Sequence, residues 1–119
     1  MWIVTALYWV GIFTLTHLPA TKIPPVPVSD KVEHMTAYGI LGILLFACLS
    51  EPGRSRWVAA GAMIVIGLLY GVADELLQIP VHRACDIQDW YADAAGLAIG
   101  LIVCLFVDWL GSHRTNRVT

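Results

Sequence analysis

Between Tyr70 and Gly96 the chain reads YGVADELLQIPVHRACDIQDWYADAAG. Asp74, Glu75, Asp86, Asp89 and Asp93 stand there beside Gln78 and Arg83, and a shorter group (Asp30, Lys31, His34 and Tyr38) precedes them. Clustered carboxylates with one imidazole are a donor set for a divalent cation, Mg²⁺ or Ca²⁺ through oxygen and Zn²⁺ through the histidine. Asp86, Asp89, Asp93 and His34 are the candidate metal ligands. Such an ion would activate water or clamp a phosphate. Lys31 and Arg83 suit a lipid phosphate or a carboxylate, with Arg83 able to make two-pronged contact. Tyr38, Tyr70 and Gln78 complete a candidate substrate-binding set. His34, Glu75 and Asp89 are the candidate acid–base groups, with Glu75 expected to be half-buried. Asp30, Asp74, Gly96 and Gly100 are read as structural. Ser/His/Asp triad spacing, a P-loop and an HExxH pattern are all missing from the sequence.

Helical spacing turns these residues into faces. Asp30, His34 and Tyr38 recur every fourth residue. Asp74 and Gln78 are four apart, and Glu75 and Gln78 three apart. Asp86, Asp89, Asp93 and Gly96 form one stripe. The elements that carry them are apolar: the 119 residues are 58% hydrophobic and 13% charged, against about 25% charge in a soluble domain. Four runs of near-membrane length are expected as helices, at about 2–18, 31–50, 56–79 and 89–110. The expected fold is therefore all-α, a single membrane domain over 1–119 built as a compact bundle of four transmembrane helices. The first run has no Lys or Arg before it, and TLTHLPA lacks a small-x-small cleavage pattern, so it is expected to remain as a helix.

Prolines at 19, 24, 25 and 27 predict a stiff extended loop after the first helix. Pro52–Gly53 predicts a tight turn, and Pro80 stops the third helix. Asp30 and Asp89 are also candidate helix N-caps, alongside Ser29. Short connections make sequential helices antiparallel. The end of the first, the start of the second, the end of the third and the start of the fourth then share one surface, where the polar residues converge on one pocket. Arg54, Arg56, Arg114 and Arg117 on the opposite side outnumber Lys22, Lys31 and Arg83. That bias predicts a plasma (inner) membrane protein with both termini cytoplasmic and the pocket facing outward. GLLYG (67–71) and GLAIG (96–100) are GxxxG patterns, expected to pack within the chain, with a homodimer contact the less favoured use. Cys48 and Cys104 read as apolar fillers and Cys85 as a free thiol. The near-neutral charge carries no nucleic-acid footprint.

DKVEHMTAYGILGILL followed by YGVADELLQIPVHRACDIQDWYADAAGLAIG resembles the VanZ-like family of small integral membrane proteins. The matching residues are Asp30, Lys31, His34 and Tyr38, then Tyr70, Asp74, Glu75 and Gln78, then Arg83, Asp86, Asp89, Asp93, Gly96 and Gly100. The proline-bearing THLPATKIP is also similar, so the resemblance covers about residues 10–110. One departure is that the family often has Asn where Asp93 stands. The resemblance implies a multi-pass membrane protein related to one named for glycopeptide (teicoplanin) resistance.

Three functional readings follow. The first is an outward-facing site that binds or modifies a cell-envelope lipid or lipid-linked cell-wall precursor, with membrane lipids as partners and a divalent cation as its cofactor. The second is a structural network pairing Arg83 with Asp86 or Asp89, Lys31 with Glu75, and His34 with Asp93. The third, ranked last, is a proton- or cation-linked carrier.

Overall fold

The structure, a computed structural model, describes residues 1–22, 24, 27–83 and 85–115. Pro25 of the proline loop and Arg117 of the tail lie outside the described residues. Among the described residues four α-helices form: α1 (Trp2–His17), α2 (Asp30–Leu49), α3 (Arg56–Gln78) and α4 (Ile87–Thr115). Short 3₁₀ turns follow α1 (Ala20–Lys22) and α3 (Ile79–Val81).

The ends follow from local chemistry. Leu18 precedes Pro19 and is extended (φ −70°, ψ 139°), as the pyrrolidine ring demands of its predecessor. Ser29 is the extended residue before α2 but makes no side-chain cap bond, and Asp30 is the first helical residue. Asp30 and Glu33 place acid in the first turn, where it complements the helix dipole. The Ser55 hydroxyl accepts the Trp57 N–H and caps α3. Beyond α3 the chain turns at His82, which holds a left-handed φ of 58°. α4 begins two residues before the expected Asp89. Asp86 is its capping residue, because its Oδ1 accepts the Gln88 N–H at 2.9 Å. Asp89 sits inside the first turn instead.

The most extensive packing is α2 on α4, and two glycines permit it. A Cβ added at Gly96 would lie 2.2 Å from the Met35 carbonyl oxygen, and one at Gly100 would lie 2.6 Å from that of Gly39. The two helix backbones therefore touch, as small-xxx-small faces allow in lipid. The α3 pair, Gly67 and Gly71, faces Leu97 and Trp90 of α4. Both GxxxG patterns are thus used inside the chain. Tyr38, Leu41, Leu45, Met63 and Leu97 fill the centre.

The outside is apolar. Val65, Leu69, Val72 and Leu76 on α3 and Ile99, Ile102, Val103 and Phe106 on α4 are all exposed. Contiguous apolar surface on this scale marks contact with a membrane or a partner. Trp2, Trp57 and Trp109 are exposed at the end of the bundle that holds the start of α1, the start of α3 and the end of α4. Such aromatics sit at headgroup level. Helical segments Asp30–Leu49, Arg56–Val81 and Ile87–Arg114 are long and apolar enough to cross a bilayer. α1 has 16 residues, about 24 Å at 1.5 Å per residue, short of the ~30 Å hydrocarbon core. The bundle thus consists of three helices of spanning length and a shorter apolar one.

Candidate functional site

The polar residues do gather at one end, in two groups. The first joins α2, α3 and α4. The Lys31 ammonium donates to Asp86 Oδ2 at 2.8 Å and also to Asp89 Oδ1. His34 Nδ1 shares a hydrogen bond of 2.8 Å with Asp93 Oδ1, and its Nε2 lies 3.8 Å from Asp89 Oδ2. Glu75 Oε2 accepts the backbone N–H of Asp86 at 3.0 Å, tying the end of α3 to the loop before α4. Asp93 is fully buried, and Glu75 and Asp89 are each 5% exposed. Ionised groups at such depth need partners, because hydrocarbon offers none.

The second group centres on Asp74, which is 1% exposed. The Thr16 hydroxyl donates to its Oδ1 at 2.8 Å, the Tyr70 hydroxyl reaches the same oxygen at 3.5 Å, and Gln78 Nε2 donates to Oδ2 at 3.4 Å. His17 Nδ1 stands 3.7 Å from Oδ1. Arg83 folds back over the end of α1, donating to the carbonyls of Leu15 and Thr16 at 3.3 and 3.0 Å. A cation there satisfies carbonyls that the helix itself leaves unpaired.

Two of the three expected ion pairs are replaced. Lys31 meets Asp86 and Asp89 rather than Glu75, and Arg83 meets carbonyls of α1 rather than a carboxylate. The third pair, His34 with Asp93, forms as expected. Thr16 joins the second group through Asp74, and helical spacing of the polar residues does not reveal it. It carries no charge, and only its place at the end of α1, opposite Asp74, signals it.

Between α1 and α2, floored by α3, lies a cavity of about 570 Å³. Its walls include Tyr8, Ile12, Val32 and Ile40, and its polar end is formed by Thr16, Asp30, His34, Asp74 and Arg83. The Tyr8 hydroxyl donates to the Ala37 carbonyl at 2.8 Å, pinning α1 to α2 across it. Tyr38 and Tyr70 also line it. The Tyr38 hydroxyl is buried with no hydrogen-bond partner among the described residues. Of the expected substrate-binding residues, Tyr38, Tyr70 and Arg83 therefore reach this cavity. Lys31 and Gln78 are engaged in the two networks instead.

Asp86 lies between α3 and α4, and its hydrogen bond from Lys31 holds its carboxyl below the usual aspartate range. A depressed carboxylate contributes stability above its unfolded pKa, and that stability is lost as pH falls through the folded value. Asp86→Asn keeps the cap oxygen on the Gln88 N–H and replaces the oxygen that accepts from Lys31 with an uncharged amide NH₂. The variant is expected to melt below the parent at pH 7. The gap should close as pH drops below about 3.9. Thermal melts between pH 7 and pH 2.5 check this; a gap independent of pH would contradict it.

A family model described as VanZ/LLP1 matches residues 3–108. Comparison with curated proteins and with solved structures gave no match. The match reaches into all four helices, stopping short of the last turns of α4, and covers both polar networks and the glycine contacts between α2 and α4. The chain is a membrane protein of the VanZ/LLP1 family.

Proposed function

We propose that the protein binds a polar-headed membrane lipid, or a lipid-linked cell-wall precursor, in the cavity between α1 and α2. The observation that carries this reading is the cavity's division into apolar walls and one polar end. About 570 Å³ is within the range of small-molecule sites, which are mostly apolar with a few placed polar groups. The apolar flank includes exposed Leu15, Val28 and Ile40, so an acyl or isoprenoid chain can enter from the bilayer. The head then lies among Asp30, His34, Asp74 and Arg83. Three carboxylates, counting Glu33, favour a head with hydroxyl or amine donors, and Arg83, whose Nη1 is held by the Leu15 and Thr16 carbonyls, turns its other N–H groups to the phosphate.

In this reading all four helices are embedded, with α1 the shortest. The polar end faces outward, and both termini lie in the cytoplasm of the plasma membrane. A role in the cell envelope, including altered exposure to glycopeptides such as teicoplanin, is the physiological setting that follows.

A second reading has its own observation. Lys31 bridges two acids, Glu75 binds a backbone amide, and Asp74 gathers three side-chain donors. That density of pairing is also what a network joining the helices would need. The two are separated by photocrosslinking. A lipid with a diazirine in its chain, added to protein in nanodiscs, is expected to label peptides holding Tyr8, Ile12 or Ile40 above other lipid-facing positions. Uniform labelling of the outer faces of α3 and α4 would leave the structural network as the better account.

A further inference from the structure

Among the described residues, two buried carboxylate oxygens have no hydrogen-bond partner, Glu75 Oε1 and Asp93 Oδ2. Glu75 is 5% exposed and Asp93 fully buried. An acceptor left unpaired at such depth is destabilising, and more so if charged. Both oxygens belong to residues that meet His34. One donor atom each from His34, Glu75 and Asp93 lies within 4.8 Å of the other two, and all three residues are buried. They come from α2, α3 and α4, so the group sits at the junction of the three longest helices.

Charge balance points the same way. Among the described residues, Lys31 is committed to Asp86 and Asp89, and Arg83 to the Leu15 and Thr16 carbonyls. One imidazole then faces two buried carboxylates. The backbone leaves room as well. A Cβ at Gly71, one helical turn before Glu75, would come within 3.2 Å of Asp93 Oδ2, so that oxygen is turned toward the stripe of α3 that carries Glu75.

We propose that His34, Glu75 and Asp93 hold a divalent cation of the Zn²⁺ type beside the polar end of the cavity. One nitrogen and two carboxylate oxygens suit Zn²⁺, which accepts three protein donors and keeps a further position open. Ca²⁺ asks for six to eight oxygens, and Mg²⁺ binds through one or two carboxylates while keeping several waters. The alternative set of Asp30, His34 and Asp89 also clusters. It is the poorer site, because Asp30 is exposed and the Lys31 ammonium already sits on Asp89. The same ammonium removes Asp86 and Asp89 from the ligand set expected from sequence, and Glu75 takes their place. His34 lines the cavity, so the ion would stand next to any bound head. The proposal shares that residue with the lipid reading but does not rest on it, since the metal alone is the probe.

Protein purified in detergent and stripped with a chelator is titrated with ZnCl₂, MgCl₂ or CaCl₂ by calorimetry and thermal melting. One saturable Zn²⁺ site per chain is expected, with a melting temperature that rises on addition and falls back with chelator. Glu75→Gln and Asp93→Asn are each expected to weaken it at least about tenfold. Asp93→Asn keeps an oxygen for His34 and so guards against a folding failure in the first variant. A background lacking the exposed Cys85 thiol and His113 imidazole (Cys85→Ser with His113→Ala) should bind as the parent does. X-ray absorption of the loaded parent should show nitrogen and oxygen neighbours. The proposal is overturned by no saturable binding, by binding unchanged in both carboxylate variants, by loss of binding in the Cys85/His113 background, or by sulfur in the first shell. If Zn²⁺ fails while lipid labelling of the cavity persists, only the metal site is lost.

Discussion

Gly96→Ala is expected to be the most damaging single-methyl change in the chain. Its Cβ would stand 2.2 Å from the Met35 carbonyl oxygen, 3.0 Å from the Gly39 amide nitrogen and 3.0 Å from the Met35 carbonyl carbon. All three are main-chain atoms of α2, so no side chain can swing aside. The helices must separate along their most extensive interface, and overpacking of this kind costs on the order of 3 kcal/mol. The consequence reaches the site, because α2 carries Lys31 and His34 while α4 carries their partners Asp89 and Asp93. Gly61→Ala is the control. A Cβ there meets nothing within 4 Å, and removing a glycine from a helix interior is neutral or stabilising by up to ~1 kcal/mol. Denaturation in mixed micelles followed by helicity should place Gly96→Ala well below the parent and Gly61→Ala at or above it. Equal behaviour of the two would mean that α2 and α4 do not touch at Gly96.

Thr36→Trp is expected to have the largest effect on ligand retention without harming the fold. Thr36 lines the cavity and is exposed, so an indole can be accommodated without disturbing the core. The new ring would occupy the space between α1 and α2 where the chain of the ligand lies. It leaves Asp74, His34 and Arg83 in place, so both polar networks remain intact. Retention of co-purified lipid should fall at least about tenfold, the effect of some 1.4 kcal/mol of lost binding, while the melting temperature stays within a few degrees of the parent. A purely structural role for the charges predicts no change in lipid retention.

Much of this arrangement was legible in the sequence. Four apolar runs punctuated by Pro19, Pro52–Gly53 and Pro80 located the helices to within one or two residues, because proline and glycine act locally, except at the end of α4, which continues past the expected 110 to Thr115. The four-residue spacing of Asp30, His34 and Tyr38 and the stripe through Asp89 and Asp93 announced two polar faces. Short connections required those faces to share one end. The pairing of His34 with Asp93 followed from that geometry.

The errors have a common cause. Which acid meets Lys31, and where Arg83 turns, depends on the rotation of each helix about its axis. That rotation is set by the Gly96 and Gly100 contact with Met35 and Gly39, and helical periodicity carries no information about which backbone atoms will touch. Long side chains then choose among several acids within reach. The cavity was invisible for another reason. It lies between α1 and α2, and α1 contributes Tyr8, Ile12 and Thr16, which in an apolar run look like any other lipid-facing residues. Its depth in the sequence pattern makes Glu75 an acid–base candidate. Its Oε1, without a partner among the described residues, and its clustering with His34 and Asp93 emerged only once three helices were assembled.

The central claim is that the cavity between α1 and α2 is an occupied lipid site and not a packing fault. Native mass spectrometry of the protein released from nanodiscs tests it most directly, comparing the parent with Thr36→Trp at matched thermal stability. The account predicts one lipid-sized adduct that survives delipidation on the parent and is largely missing from Thr36→Trp. Equal adduct patterns on the two proteins, or a parent stripped as readily as the variant, would contradict it.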